Sequence, residues 1–362
     1  MLNPADGPQP GAENNPFQLH LSDGFQPWLG RMGGTLALTT YEAGKILLLG
    51  PGIGAGVALS ERNFDRAMAM AVDGESLYLT TAYQVWRFVN ALEPGRLFGN
   101  WDRLYLPRAC HVTGAIDAHD VEIDASGAMT LAVTGYNCVA TADARGNFNP
   151  IWAPPFISAI VGEDRCHLNG FCGADGKPAY ATVIAETDAA GKWRDHRADG
   201  GAVWDIGRDR AVAQGLAMPH SPRLHQGALY LLEAGAGWFG RVDPAKGGFE
   251  RLVWLPGFAR GLRLVGNYAL VGLSKPRNEI FAGLPLDDEL KRRGEEPRCG
   301  VAVIDIGARR VVETIRIEGW VKEVYDLAFI PGARRPMIVG LQADDVGRLV
   351  MVGTNATGKK LL

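Results

Sequence analysis

The chain repeats one short pattern of apolar and polar positions. Each copy is an apolar run that ends in small or polar residues, which is typical of a buried β-strand followed by a turn. The seven copies are 36–41 (LALTTY), 77–82 (LYLTTA), 131–136 (LAVTGY), 180–185 (YATVIA), 229–234 (LYLLEA), 269–274 (ALVGLS) and 337–342 (MIVGLQ). They recur about every 50 residues, a period typical of propellers and related arrays.

Each repeat divides into as many as four strands. In the repeat that starts at His119, the strands are predicted at 119–123, 129–134, 138–142 and 148–152. A four-stranded antiparallel sheet repeated around an axis is a propeller blade, and a closed ring leaves no apolar blade face exposed. We therefore predict an all-β β-propeller of four-stranded antiparallel blades. Seven blades are favoured, and six stay open because residues 25–62 contain no clear innermost strand.

The ends of the chain suggest how the ring closes. The last repeat supplies strands at 325–330, 337–342 and 349–352, and its missing outer strand is predicted at 17–21 (FQLHL). Residues 1–16 are rich in Pro, Gly and Asn and are predicted to be a disordered tail, which leaves 17–362 as a single propeller domain. A charged insertion at 276–298 contains a predicted short helix at 287–293. It is either a solvated excursion, a lid or a subunit contact.

Composition narrows the class of protein. The chain has 362 residues, 47% of them hydrophobic and 21% charged, which is an ordinary globular balance. A net charge of −3 favours neither nucleic acid nor an anionic membrane as a partner. With no signal-peptide pattern and five cysteines that form no Cys-x-x-Cys pair, we expect a cytoplasmic protein with reduced thiols. No phosphate-binding loop is present, so no nucleotide cofactor is expected.

Histidine occurs at the same phase of three successive repeats. His119, His167 and His220 each stand where an innermost strand begins, and such starts surround one mouth of a propeller channel. Converging imidazoles could bind one divalent transition metal ion (Fe, Zn, Mn or Cu), with His111 as a fourth ligand. A metal-free binding or catalytic site and a purely structural role are the alternatives. The nearby groups predicted to act as general bases or orienting groups are Asp120, Asn169 and Asp326.

Arginines surround these histidines in the sequence. An arginine fork binds carboxylate or phosphate through two hydrogen bonds, so the ligand is expected to be an anionic small molecule. The residues predicted to hold it are Arg197, Arg223 and Arg263. A bound metal would activate water or polarise a carbonyl, which favours hydrolase, lyase or isomerase chemistry. The alternative is a non-catalytic propeller that serves as a scaffold for a protein partner or as a small-molecule sensor.

Several short segments have distinctive sequences, which we call words. They are 39–50 (TTYEAGKILLLG), 163–170 (EDRCHLNG), 186–188 (ETD), 193–201 (WRDHRADGG) and 218–223 (MPHSPR). From about residue 17 onward, these words resemble a family of uncharacterised bacterial conserved hypothetical proteins, and that resemblance implies a propeller fold but no activity. The chain is also loosely similar to lactonase and gluconolactonase propellers, which hold a divalent ion through Glu, Asn and Asp oxygens. In this chain histidine dominates the predicted site instead, which departs from the pattern of a calcium-type lactonase.

Overall fold

The computed structural model describes residues 17–52, 56–276 and 283–351. Within these ranges, six antiparallel sheets form a ring of six blades, numbered I to VI. The innermost strand of each blade contacts the innermost strand of the next, and the last contacts the first. The predicted disordered tail, residues 1–16, lies outside the described residues.

The strands of each blade follow one another from the channel outward. From the channel, blade I contains β25 (Leu327–Pro331), β2 (Gly34–Thr40), β3 (Lys45–Pro51) and β4 (Val57–Asn63). Blade II contains β5 (Met70–Asp73), β6 (Ser76–Thr80), β7 (Gln84–Asn90), β8 (Arg103–Val112) and β26 (Pro336–Ile338). Blade III contains β9 (Ala118–Ile123), β10 (Met129–Val133), β11 (Cys138–Ala142) and β12 (Phe148–Trp152).

The other three blades follow the same plan. Blade IV contains β13 (Leu168–Ala174), β14 (Lys177–Val183), β15 (Gly201–Asp205) and β16 (Arg210–Leu216). Blade V contains β17 (Pro219–His225), β18 (Ala228–Glu233), β19 (Trp238–Val242) and β20 (Phe249–Trp254). Blade VI contains β21 (Phe258–Val265), β22 (Tyr268–Ser274), β23 (Gly300–Asp305), β24 (Arg310–Glu318) and β1 (Gln18–Leu21).

The blade count is six because the first and last sequence repeats share one blade. Strand β25 pairs antiparallel with β2, so that Phe329 lies opposite Leu36. The seventh copy of the repeated pattern starts no blade of its own. Its first residues belong to β26, which pairs in parallel with β8 at the outer edge of blade II. Residues 349–351, predicted as a strand, are not in one, and residue 352 lies outside the described residues.

Ring closure also differs from the prediction. The predicted N-terminal strand is present as β1, but it pairs with β24 at the outer edge of blade VI. The strand that closes the ring is β25, whose first four residues are buried. These buried residues suit the innermost position, which lies between two neighbouring blades. Strand β1 alternates between exposed and half-buried residues, which suits an edge.

The small polar residues that end the repeated pattern connect neighbouring blades. Their hydroxyls donate hydrogen bonds to backbone carbonyls at the start of the next blade's innermost strand. These bonds run from Thr39 to Met68, from Thr80 to Ala118, from Thr134 to Leu168 and from Ser274 to Val324. In blade IV, Thr182 donates to the Asn169 amide, which in turn donates to the Pro219 carbonyl. Since a buried carbonyl needs a donor, the repeated hydroxyls have a structural cause.

Three helices accompany the ring. Helix α1 (Phe25–Met32) packs Phe25, Trp28 and Leu29 between blades VI and I, and it ends at Gly33 with a left-handed φ of 65°. Helix α2 (Pro285–Arg293) confirms the helix predicted in the insertion, of which residues 277–282 lie outside the described residues. Helix α3 (Asp345–Arg348) follows β26. Among the described helices, none is long and apolar enough to cross a membrane.

Candidate functional site

The three predicted histidines lie together at one mouth of the channel. The ring centroids of His119 and His167 are 5.0 Å apart and nearly perpendicular. His220 is close enough for both of the other imidazoles to lower its pKa electrostatically. Its ring packs edge-on against Phe258, with centroids 5.5 Å apart. Residues at equivalent positions of three successive repeats therefore lie close together in the structure.

His119 and His220 have the same local geometry in two different blades. The Nδ1 atom of His119 lies 3.1 Å from the Asp117 carbonyl oxygen, and that of His220 lies 2.8 Å from the Met218 carbonyl oxygen. Asp117 and Met218 have left-handed φ angles of 56° and 48°, which turn these carbonyls toward the rings. Since a carbonyl only accepts, each Nδ1 carries the proton. Each Nε2 of the neutral ring therefore keeps its lone pair.

His167 is oriented by a carboxylate instead of a carbonyl. Its Nδ1 lies 3.0 Å from an Asp164 carboxylate oxygen, which also accepts a 2.9 Å hydrogen bond from Trp193 Nε1. Burial would raise the pKa of Asp164, but the hydrogen bonds from His167 and Trp193 outweigh it and lower the pKa. Asp164 therefore stays ionised and holds the proton of His167 on Nδ1.

The long loop between β14 and β15 covers this part of the mouth. Trp193, from that loop, stacks on His167 with ring centroids 4.2 Å apart. The loop thus lies on the same face of the ring as the histidines. Its buried residues pack with Leu286 and Leu290 of α2 in one hydrophobic cluster. The insertion therefore supports the same side of the mouth.

Two of the histidines, His119 and His220, are held in the neutral state by their surroundings. Burial lowers the pKa of His119 to about 4, and the Arg260 charge and His167 lower it further while Asp117 opposes them. Burial also lowers the pKa of His220 well below 6.5, again with help from Arg260. At neutral pH both rings are therefore uncharged bases. The positive charge in this layer comes from arginine.

Arg260 and Tyr325 complete the mouth. The guanidinium carbon of Arg260, on β21, lies 3.5 Å from the centroid of the Tyr325 ring. The same ring lies 5.8 Å from His119 and stacks with Tyr41 at 5.7 Å. Arg260 makes no hydrogen bond or ion pair with any residue that the structure describes. A half-buried guanidinium thus lies near the neutral His119 and His220 rings, without a carboxylate of its own among the described residues.

A second group of charges lies further along the innermost strands. Arg223 donates to both carboxylate oxygens of Asp120, at 2.8 and 3.0 Å, and joins blade V to blade III. Burial raises the pKa of Asp326 to about 6, while Arg223 opposes the rise. Burial also raises the pKa of Glu122 and lowers that of Arg263. Asp120 and Arg223 therefore neutralise each other in the channel.

The remaining predicted site residues occupy several places. Asn169 is buried, and both ends of its amide are bound to protein groups, Thr182 and Pro219. Arg197 is half-buried, and its Nε donates to the Arg194 carbonyl oxygen. His111 is not brought to the other histidines. It lies on β8, the fourth strand out from the channel in blade II, where its Nε2 lies 2.8 Å from the Asn147 carbonyl oxygen.

Four residues of the mouth were not predicted from the sequence. Asp117 and Asp164 precede a histidine by two and three positions, and this spacing is the signal that could have identified them. Tyr325 stands where the innermost strand of blade I begins, the same phase as the histidines. Trp193 carries no local signal, because its contact with His167 depends on how its loop folds back. The four contribute the carboxylates and rings that orient the bases.

Metal binding by the histidines stays a prediction. Within residues 17–52, 56–276 and 283–351, no three His, Cys, Asp or Glu side chains are arranged to hold a metal ion. The three Nε2 lone pairs are of the type that binds transition metals. The neighbouring Arg260 charge opposes a cation at the same place.

Solved structures share the propeller arrangement only distantly. One is a protein of unknown function from Bacteroides caccae (TM-score 0.48, 11% identity, 82% of this chain and 99% of that chain). Another is a protein provisionally named a gluconolactonase (0.42, 14%, 71% and 89%). A third is virginiamycin B lyase from Staphylococcus aureus (0.41, 10%, 87% and 99%). At such low TM-scores these likenesses carry no conclusion about the chemistry of this chain.

The family relationship rests on the sequence. No curated protein matches the chain. A model of a domain of unknown function, DUF4915, matches residues 23–339, which include every strand of the ring except β1 and all the residues of the mouth. This agrees with the resemblance to an uncharacterised family that the distinctive words suggested. The chain belongs to the DUF4915 family.

Proposed function

We propose that the channel mouth is an active site that acts on a small anion by hydrolase, lyase or isomerase chemistry. The observation that carries the proposal is the half-buried guanidinium of Arg260, which lacks a carboxylate partner in the described part of the chain and lies near the neutral His119 and His220 rings. Cation and bases thus occupy one place, the arrangement needed to hold a charged substrate while a proton moves.

Charge complementarity favours an anion. A guanidinium binds carboxylate or phosphate through two charge-assisted hydrogen bonds, and neutral imidazoles do not repel such a ligand. Arg223, by contrast, is already bound to Asp120 and offers no unmatched charge. A bound anion would also offset the Arg260 charge, which lowers the pKa of His119 and His220 in its absence. Binding would therefore strengthen the bases that surround the ligand.

His167 is the best placed general base. Asp164 accepts the Nδ1 proton, so Nε2 can take a proton from the substrate or from water. The imidazolium that forms would be stabilised by the same carboxylate, which a neutral carbonyl partner does less well. Arg260 would hold the anionic end of the substrate. The Asp164 carboxylate is thus a positioning group, and His167 is the group that touches the reacting atoms.

A divalent transition metal ion is a variant of the same proposal. Fe, Zn, Mn or Cu bound to Nε2 of His119, His167 and His220 would supply Lewis acidity at the mouth. Elemental analysis of tag-free protein, beside a His119→Ala/His220→Ala protein, tests this form of the proposal. Near-stoichiometric metal that is absent from the substituted protein supports it. Metal-free protein after reconstitution with each ion counts against it and leaves anion binding unaffected.

Anion binding is tested by tryptophan fluorescence, because Trp193 stacks directly on His167. We would titrate the full chain with acetate, butyrate, 2-oxobutyrate and inorganic phosphate. Arg260→Gln should weaken saturable binding about tenfold or more, since it removes a charge-assisted hydrogen bond. The exposed Arg145, in a turn between β11 and β12, provides the matched control Arg145→Gln, which should bind as the unaltered protein does. Equal binding by both variants, or no binding at all, would overturn the proposal.

A further inference from the structure

Tyr325 has a buried hydroxyl without a partner. Tyr325 is only 3% exposed, and its Oη makes no hydrogen bond within the described part of the chain. Leaving such a group unsatisfied is unfavourable, and most buried hydroxyls in proteins are bonded. A hydroxyl of this kind at a candidate site indicates a bond that forms with a ligand.

The ring that carries this hydroxyl cannot easily turn away. Arg260 covers it at 3.5 Å, Tyr41 stacks with it at an interplanar angle of 17°, and His119 lies beside it. The hydroxyl is therefore preorganised at a fixed position next to the guanidinium. Burial raises the pKa of Tyr325 above its ordinary value, so the group stays protonated and can only donate to an anion.

We propose that the Tyr325 hydroxyl donates a hydrogen bond to a second oxygen of the anion that Arg260 holds. The site would then prefer small carboxylates with an oxygen on the adjacent carbon, such as 2-oxo acids, over plain carboxylates. This inference rests on the proposed function, because it takes Arg260 as the anchor of the charged group. Tyr325 adds the selection among anions.

The geometry explains why the two oxygens must be close together. The guanidinium carbon lies 3.5 Å from the centre of the Tyr325 ring, so an anion bound at the edge of the guanidinium nearest Oη has its next oxygen beside the hydroxyl. In a 2-oxo acid the keto oxygen is attached to the carbon next to the carboxylate, which is the short separation this contact requires. A plain carboxylate would satisfy Arg260 and leave the hydroxyl unbonded. A purely structural Tyr325 would make no distinction between the two ligands.

The experiment compares 2-oxobutyrate with butyrate by isothermal titration calorimetry on the full chain. The unaltered protein should bind 2-oxobutyrate about tenfold more tightly, the value of one well-formed hydrogen bond. Tyr325→Phe should remove that preference and leave butyrate affinity unchanged, whereas Arg260→Gln should weaken both ligands. Arg145→Gln serves again as the control. Urea unfolding should show Tyr325→Phe to be at least as stable as the unaltered protein, because the hydroxyl has no partner to lose.

The outcomes separate the two proposals. If Arg260→Gln weakens both ligands but Tyr325→Phe keeps the preference for 2-oxobutyrate, the role of Tyr325 is overturned and the anion site stands. If the unaltered protein binds both ligands equally, the role of Tyr325 is likewise overturned. If neither ligand binds, both proposals fail together. A Tyr325→Phe protein that unfolds at lower urea would show that the hydroxyl has a partner in the protein, and this too would overturn the inference.

Discussion

The guanidinium of Arg260 lies on the ring of Tyr325, with its central carbon 3.5 Å from the ring centroid. Arg260 belongs to the innermost strand of blade VI, and Tyr325 lies two residues before the closing strand of blade I. The contact therefore joins blade VI to blade I. It also brings a cation close to His119 and His220, which are neutral at pH 7. Its removal should change the titration of those histidines.

Replacement of Arg260 should make the neighbouring histidines easier to protonate. The Arg260 charge is one of the causes that lower the pKa of His119 to about 4 and that of His220 well below 6.5. Arg260→Gln should move both values upward while burial continues to hold them below 6.5. NMR titration of the imidazole resonances measures this directly. Titration curves that match those of Arg145→Gln would show that Arg260 does not act on the rings.

The stability of the protein should fall in mild acid because of His119. Its pKa is depressed in the folded state, so its contribution is full above pH 6.5 and is lost as the pH falls toward 4. The loss amounts to about 3 kcal/mol at its limit. In His119→Gln this loss is absent, so its free energy of unfolding relative to the unaltered protein should rise between pH 7 and pH 4.5. Urea unfolding at several pH values measures the difference.

The other buried groups do not obscure this comparison. Asp326 and Glu122 have raised pKa values and act in the opposite direction over the same range, but they titrate in both proteins and cancel in the difference. Arg260 and Asp117 face His119 in both proteins as well. A difference in stability that stays constant from pH 7 to pH 4.5 would contradict the assignment of a low pKa to His119.

Asp326 should show the reverse dependence. Burial raises its folded-state pKa from 3.8 to about 6, so its contribution to stability is full below pH 3.8 and is lost as the pH rises through 6. Asp326→Asn cannot ionise and should gain stability relative to the unaltered protein as the pH rises from 4 to 7, by up to about 3 kcal/mol. Thermal unfolding across this range tests the sign. A relative stability that falls with rising pH would show that Asp326 is stabilised as the carboxylate.

The pair formed by Asp120 and Arg223 should matter for folding. Asp120→Asn leaves Arg223 buried without its counter-charge, which typically costs about 3 to 5 kcal/mol. The exposed pair of Lys192 and Asp195, with side chains 63% and 61% accessible, provides the control. Asp195→Asn should change the free energy of unfolding by less than about 1 kcal/mol. Similar effects of the two substitutions on urea unfolding would argue against a structural role for the buried pair.

Much of the ring was predictable because its cause is local. Six copies of the repeated pattern coincide with the second strands of six blades, and in four of them a hydroxyl bonds directly to the next blade. The blade count was harder because β25 pairs with β2 from the opposite end of the chain. No local feature of 327–331 indicates which partner it takes. The seventh copy of the pattern favoured a seventh blade, but its strand, β26, pairs in parallel with β8 of blade II.

The candidate site was predictable in part. The common phase of the histidines indicates convergence, because equivalent positions in a ring face one axis. Their hydrogen bonds depend on left-handed residues such as Asp117 and Met218, and neither residue type indicates that conformation. Arg223 was expected to bind a ligand, but it meets Asp120 across the channel. That contact depends on the width of the ring, which spacing along one strand does not reveal.

The position of Tyr325 determines when the mouth can form during synthesis of the chain. The mouth includes the aromatic side chain of Tyr325, near the C-terminal end of the ring. The strand that pairs with β25 is complete by residue 40. A nascent chain can form five blades and most of the sixth, yet it has no binding site until β25 has left the ribosome and docked. Once β25 has docked, a ligand held by both Arg260 and Tyr325 connects blade VI to the start of the closing strand of blade I. Such a ligand can bind only after the ring is complete.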